Sequence, residues 1–387
     1  MRTPVVYENI RPFDPEELPQ VFDRLLADPQ FSAVLNHLYP DVPRPMLEKK
    51  MRSCTDTLSF QKAFSYVFLK DLLQKRSKGA TFDASVLDKT KRYTFLSNHR
   101  DIVLDAAFLS VFLIDAGFDT TCEVAIGDNL LATPWIKDLA RLNKSFIVQR
   151  SLPPRQMLEA SKRLSEYMHF VVREKRDNVW IAQREGRAKD SNDRTQPALL
   201  KMLAMGGEGN CIERWQQLHI VPLTISYEYD PCDYLKAREF QLKRDNPDWK
   251  KSAADDVISM QTGIMGYKGR IHFHCGPSID RWLSTLDPEL SKAELPLLVA
   301  KYLDGEIYKN YCLYPSNYVA DDLLTGENRW EKYYSDDDRR EVESYFEAQL
   351  AKIDIENKDE DYLRERLYTM YANPLRNHCM VTGLHLV

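Results

Sequence analysis

The 387-residue chain has no Cys-x-x-Cys pair, and its seven cysteines (Cys54, Cys122, Cys211, Cys232, Cys275, Cys312 and Cys379) are scattered and odd in number. That argues against a disulfide framework and a thiolate zinc site, and it fits a reducing cytoplasm. A basic excess is missing too: with a net charge of −5 and a pI near 6.0, the chain offers nucleic acid no general field. Long apolar runs are also lacking. The most apolar window, 102–118, contains Asp105 and Asp115 and falls short of the roughly 20 residues of a membrane-spanning helix. The opening residues, Met1-Arg2-Thr3-Pro4-Val5-Val6-Tyr7-Glu8, show no apolar core followed by a small-residue cleavage site, so no secretion signal is expected. Ser97 sits in no Gly-x-Ser-x-Gly elbow, which argues against a serine hydrolase. Gly206-Gly207-Glu208-Gly209 follows a helical stretch instead of opening one, and reads as a helix stop, not a phosphate-cradling loop.

What the sequence does contain is a change of pattern near residue 90. Residues 1–90 lack strand alternation and carry helical spacing, as in Phe60, Phe64, Val67, Phe68, Leu72 and Leu73, so a helical N-terminal region is expected there. Residues 91–284 alternate short apolar strands (93–96, 122–126, 145–148, 179–182, 220–227 and 270–274) with helical stretches (102–116, 133–142, 155–173, 196–205 and 253–265). Strand and helix in alternation predict an α/β domain with a largely parallel sheet flanked by helices. Residues 285–387 turn helical and more acidic, a C-terminal extension packed on that domain. Within 270–274, alternation puts His272 and His274 on one face with no acid nearby in sequence, which speaks against a metal site.

The most informative stretch is Ser97-Asn98-His99-Arg100-Asp101-Ile102-Val103-Leu104-Asp105, which passes an imidazole and two carboxylates from the end of one strand to the start of a helix. Polar side chains at such turns sit at the rim where α/β sheets bind ligands. Read with Gly127-Asp128-Asn129-Leu130, Phe146-Ile147-Val148-Gln149-Arg150, Glu185-Gly186-Arg187-Ala188-Lys189 and Ile225-Ser226-Tyr227-Glu228, it resembles, in order, the blocks of glycerolipid acyltransferases, closer to the glycerol-3-phosphate branch.

That resemblance implies transfer of a fatty acyl chain from a thioester, of coenzyme A or acyl carrier protein, to a glycerol-3-phosphate-like hydroxyl, with no bound cofactor or metal. The rival acceptor is a lysophospholipid or a non-phosphate lipid alcohol, and a catalytically silent lipid- or acyl-carrier-binding homologue is the rival from another class. A hydroxyl is a poor nucleophile near neutral pH, so a base such as imidazole is needed within hydrogen-bond reach, and His99 fills that role in the resemblance. A carboxylate would orient the imidazole and balance the imidazolium. The family spacing, His-x4-Asp, lands here on Leu104. Asp105 is expected as the partner, with Asp101 as the alternative, because aspartate at a helix start has its own use as a cap. Arg150, Arg187 and Lys189 are expected to bind an acceptor phosphate on the rim of His99, with Glu185 as a further, looser candidate. The expected setting is cytoplasmic, with peripheral contact to the inner face of a membrane.

Overall fold

A computed structural model describes residues 2–150, 152–287 and 290–384. Seven strands form one sheet: β1 (Ala80–Asp83), β2 (Thr94–Ser97), β3 (Cys122–Gly127), β4 (Ser145–Val148), β5 (Asn178–Ala182), β6 (Ile220–Tyr227) and β7 (Ile271–Cys275), in the order β1-β7-β6-β2-β5-β3-β4. Five of them run parallel, and β7 pairs antiparallel to β6 with β1 parallel to β7 at its outer side. The fold is therefore α/β with a mostly parallel, helix-flanked sheet and helices at both ends of the chain.

Burial on both faces explains the continuous apolar strands, since all eight residues of β6 are buried. Alternation then distributes side chains between two cores. Phe95, Trp180, Val221 and Ile225 join a core with the helices Leu104–Asp115 and Tyr66–Arg76, whereas Leu96, Val179, Ile181 and Ile220 join a second core with Pro154–Phe170 and Glu294–Lys309. The helix Leu104–Asp115 is buried over most of its length, which is why its sequence reads as an apolar run without a polar face. The helices before β1 pack around Phe22, Phe60 and Phe64. The last helices pack around Phe346 and Tyr371.

One strand lies inside the stretch read as helical. β1 has only four residues, Ala80-Thr81-Phe82-Asp83, none fully buried, and such a segment is too short to show a period of two. The free edge of β7 makes it a strand. Among the described residues of 91–284, the helices Cys211–Gln217, Asp233–Asp245 and the four-residue Asp280–Leu283 also went unread, the second because its apolar positions are few and its buried ones include Asp233, Lys236, Glu239 and Gln241. Among the described residues, no helix is long and apolar enough to cross a membrane.

Candidate active site

The carboxyl ends of β2, β3, β4 and β5 lie at one edge of the sheet; Gly127 ends β3 there, and the turns after β2, β4 and β5 deliver His99, Arg150 and Arg187. Asn98 fixes the turn after β2: its buried amide donates to Ile225 O and accepts from Ile225 N, both at 2.8 Å, so the strand end is pinned to β6. His99 then stands over Trp180, with ring centroids 5.4 Å apart in an edge arrangement.

Asp105, in the first turn of the helix Leu104–Asp115 and fully buried, meets His99 Nδ1 at 2.7 Å. A carboxylate only accepts, so Nδ1 carries the proton and Nε2 is left to receive one. Asp105 also accepts from the backbone N–H of Arg100 at 2.6 Å and of Asp101 at 3.1 Å, and from the Tyr227 hydroxyl at 3.0 Å. Burial, reinforced by Asp105, raises the Tyr227 pKa well above its ordinary value, which keeps that hydroxyl a donor. Asp101 has a different partner set. Its Oδ1 accepts from the N–H groups of Val103 at 2.9 Å and Leu104 at 2.8 Å, capping the turn that enters the helix. Burial, and then the neighbouring Asp105, raises its pKa. Gly263 leaves room for the Asp101 carboxyl, because a β-carbon there would collide with it.

His99 lines a cavity of about 960 Å³ whose walls are mostly apolar. The cavity passes along Ala106, Ser110 and Val111, reaches Leu35, Tyr39 and Phe64 of the N-terminal helices, and is bounded on one side by Val257, Met260 and Ile264. Arg150, Arg184 and Glu185 stand on its wall, with Arg150 Nη1 3.7 Å from Glu185 Oε1. Gly127 makes room for this corner, since a β-carbon would strike Asn129 and the Arg150 guanidinium. Asp128 Oδ1 accepts from Arg150 N at 3.3 Å, so the Gly-Asp-Asn-Leu block serves to seat Arg150.

Arg187 and Lys189 do not line that cavity. They line a separate small pocket of about 20 Å³ with Cys232, Lys236, Arg238 and Lys251, contrary to the expected convergence on the rim of His99. The cause is Gly186, whose φ of +65° turns the backbone through the left-handed region. Arg184 and Glu185 before it stand on the wall of the cavity that His99 lines, and Arg187 and Lys189 after it line the second pocket. Lys189 is already paired with Glu239 at 2.7 Å, and burial lowers its pKa. Arg187 Nη1 is buried without a hydrogen-bond partner of its own, while the guanidinium as a whole is held against burial by Cys232, to which it is hydrogen-bonded, and by the charges of Asp101 and Asp230, which together raise its pKa.

Three contributors escaped the sequence reading of the site: Tyr227, Trp180 and the amide of Asn98. Tyr227 and Asn98 lie inside stretches singled out for other residues, and because β6 is buried on both faces no periodicity marked the hydroxyl. Glu228, the last residue of that block, is a structural pin, gripping Arg270 through Nε at 3.0 Å and Nη2 at 2.7 Å. One of the two strand histidines does meet an acid, supplied by the unread strand: His274 Nδ1 lies 3.2 Å from Asp83, whereas His272 Nδ1 lies 2.7 Å from the Thr81 hydroxyl.

This geometry is joined by a match to a known protein family. Residues 81–226, from β1 to β6, match the model of the family described as Acyltransferase. The match covers less than half of the chain and supports the glycerolipid acyltransferase family and an acyl-transfer activity in lipid biosynthesis. No curated protein matches the chain.

Proposed function

We propose that the protein transfers a fatty acyl group from an acyl thioester, of coenzyme A or acyl carrier protein, to a hydroxyl of a glycerol-3-phosphate-like acceptor, with His99 as general base and Asp105 as its partner. The observation that carries this reading is the His99–Asp105 pair, whose imidazole lines the apolar cavity of about 960 Å³. A cavity of that size is at the upper end for small-ligand sites, and each methylene it buries contributes about 0.8 kcal/mol. In the proposed reaction Nε2 of His99 takes the proton as the acceptor oxygen attacks the thioester carbonyl. The tetrahedral intermediate collapses with loss of the thiolate, and the proton on Nε2 is available to it. Asp105 balances the imidazolium meanwhile, and no acyl-enzyme is required.

Arg150, on the wall of the cavity that His99 lines, and Arg187, in the separate small pocket, are the two alternative proposed ligands for the acceptor phosphate, since one phosphate cannot occupy both pockets; Lys189 and Glu185 support them less directly. A bilayer surface is the proposed source or sink of the lipid, reached peripherally. Purified protein given radiolabelled acyl-CoA and glycerol-3-phosphate should form labelled lysophosphatidate. If label appears only with a lysophospholipid or a plain lipid alcohol, the acceptor assignment fails. If no acceptor is labelled but the thioester is bound, the silent homologue is the better reading.

A further inference from the structure

The segment after β5, from Arg184 to Gln196, is irregular and includes Ser191 at a φ of +58°, in the left-handed region where residues other than glycine are strained. Two helices of the C-terminal extension, Glu294–Lys309 and Glu360–Thr382, grip it. Asp304 Oδ1 accepts from the backbone N–H of Thr195 at 2.8 Å and from its hydroxyl at 2.6 Å. The Tyr308 hydroxyl donates to Asp193 O, and Asn373 Nδ2 donates to Asp190 O at 2.7 Å. From inside, the fully buried Asp193 carboxylate faces Arg100 Nη1 at 2.8 Å, and Arg100 Nη2 reaches the Tyr311 hydroxyl at 3.2 Å. Arg100 is the neighbour of His99 in the chain, so the turn after β2, the segment bearing Arg187 and the C-terminal helices are tied together at one point.

We propose that the C-terminal helices are a working part of the acceptor site, with Asp304 and Asn373 as positioning residues that hold the Arg184–Gln196 segment so that Arg187 stays presented to an anionic acceptor. The proposal rests on the reading of Arg187 as a phosphate ligand. A segment released from its anchors must be ordered again when the acceptor binds, and that cost falls on acceptor affinity while leaving the thioester and the chemical step alone.

The test uses the full chain, with acyl-CoA and glycerol-3-phosphate as probes, in five forms: wild type, Asp304→Ala, Asp304→Asn, Thr195→Val and Arg187→Ala. Losing the two bonds to Thr195 in Asp304→Ala should raise the acceptor KM roughly tenfold, with kcat and the donor KM within about twofold. Asp304→Asn should rescue it, because the amide oxygen accepts the same two bonds. Thr195→Val, which removes one bond and little volume, should give a smaller rise of the same kind. Were Asp304 needed only for folding, kcat would drop with the folded fraction and the acceptor KM would stay put, and Asn would rescue the yield alone. An acceptor KM unmoved in both Asp304→Ala and Thr195→Val, while Arg187→Ala raises it, overturns the proposal. An acceptor KM unmoved in Arg187→Ala overturns the phosphate reading itself, and the positioning role with it.

Discussion

Replacing Asp105 by asparagine isolates the charge that this site holds against His99. The side chain is fully buried and its Oδ2 takes three donors, from His99 Nδ1, Arg100 N and Asp101 N, while Oδ1 takes the Tyr227 hydroxyl. An asparagine with its oxygen toward His99 keeps the three bonds at that end, and its amide can donate to Tyr227 in exchange, so the fold should survive. What disappears is the attraction between the carboxylate and the imidazolium that forms as the acceptor is deprotonated. For unit charges about 4 Å apart at an effective dielectric of about 20, that attraction is about 4 kcal/mol, or about a thousandfold in rate. The opposite amide orientation would hold His99 in the wrong tautomer and cost up to about 10⁴. The assay is steady-state acyl transfer from radiolabelled thioester, with circular dichroism and thermal melting on the same samples. Asp101→Asn is the companion variant: its Oδ1 caps Val103 and Leu104, so it should lose up to about 1 kcal/mol of stability and keep kcat within a few-fold. If Asp105→Asn retains kcat within tenfold while Asp101→Asn loses orders of magnitude, the pairing argued here is wrong.

Other consequences are as direct. His99→Ala should lower acyl transfer by roughly 10²–10⁴-fold while donor binding persists, and activity within twofold of wild type would remove His99 from the mechanism. Burial next to Asp230 pushes Asp233 from the usual 3.8 up to about 7, although the hydroxyls of Tyr371 and Tyr345 donate to it at 2.7 and 3.0 Å. The folded chain holds this proton more tightly than the unfolded one, so the stability it contributes is full below pH about 4 and is lost as pH rises to about 7. Asp233→Asn should flatten the fall in Tm across that window, and an identical Tm–pH curve in wild type and variant would contradict the assignment. Membrane-bound protein in a cell lysate should be released by salt or alkaline carbonate, because none of the described helices can span a bilayer; retention after both washes would require a firmer anchor.

Much of the sheet was legible because its strands are short apolar runs set off by turns: 145–148 and 220–227 coincide with β4 and β6, and the other four differ from β2, β3, β5 and β7 by at most one residue at an end. β1 was not legible, since an edge strand of four partly exposed residues is made by the partner it joins. Periodicity located His99, Arg150 and Arg187 at strand ends but could not say which way a loop turns after the strand. One glycine with positive φ, Gly186, decides that Glu185 faces the large cavity and Arg187 the small pocket. The helical reading of 102–116 was also too simple at its start. It started the helix at 102, whereas the helix begins at Leu104, and Asp101 belongs to the turn before it.

That turn also accounts for the extra residue between His99 and Asp105. The direction of the Asp105 carboxylate follows from the phase of the helix, because each residue advances about 100° around the axis, and the phase is fixed by burying Leu104, Phe108, Leu109 and Phe112. The distance of His99 from the helix is fixed separately, by Asn98 holding the end of β2 to β6. The residues between only have to bridge two fixed ends. Here they do so as a turn in which Asp101 caps Val103 and Leu104 while the N–H groups of Arg100 and Asp101 point back at Asp105. One more residue in the turn therefore changes neither the phase of the helix nor the position of the imidazole. A count of residues between histidine and aspartate is a consequence of this geometry, and a count that differs by one is compatible with the same 2.7 Å contact.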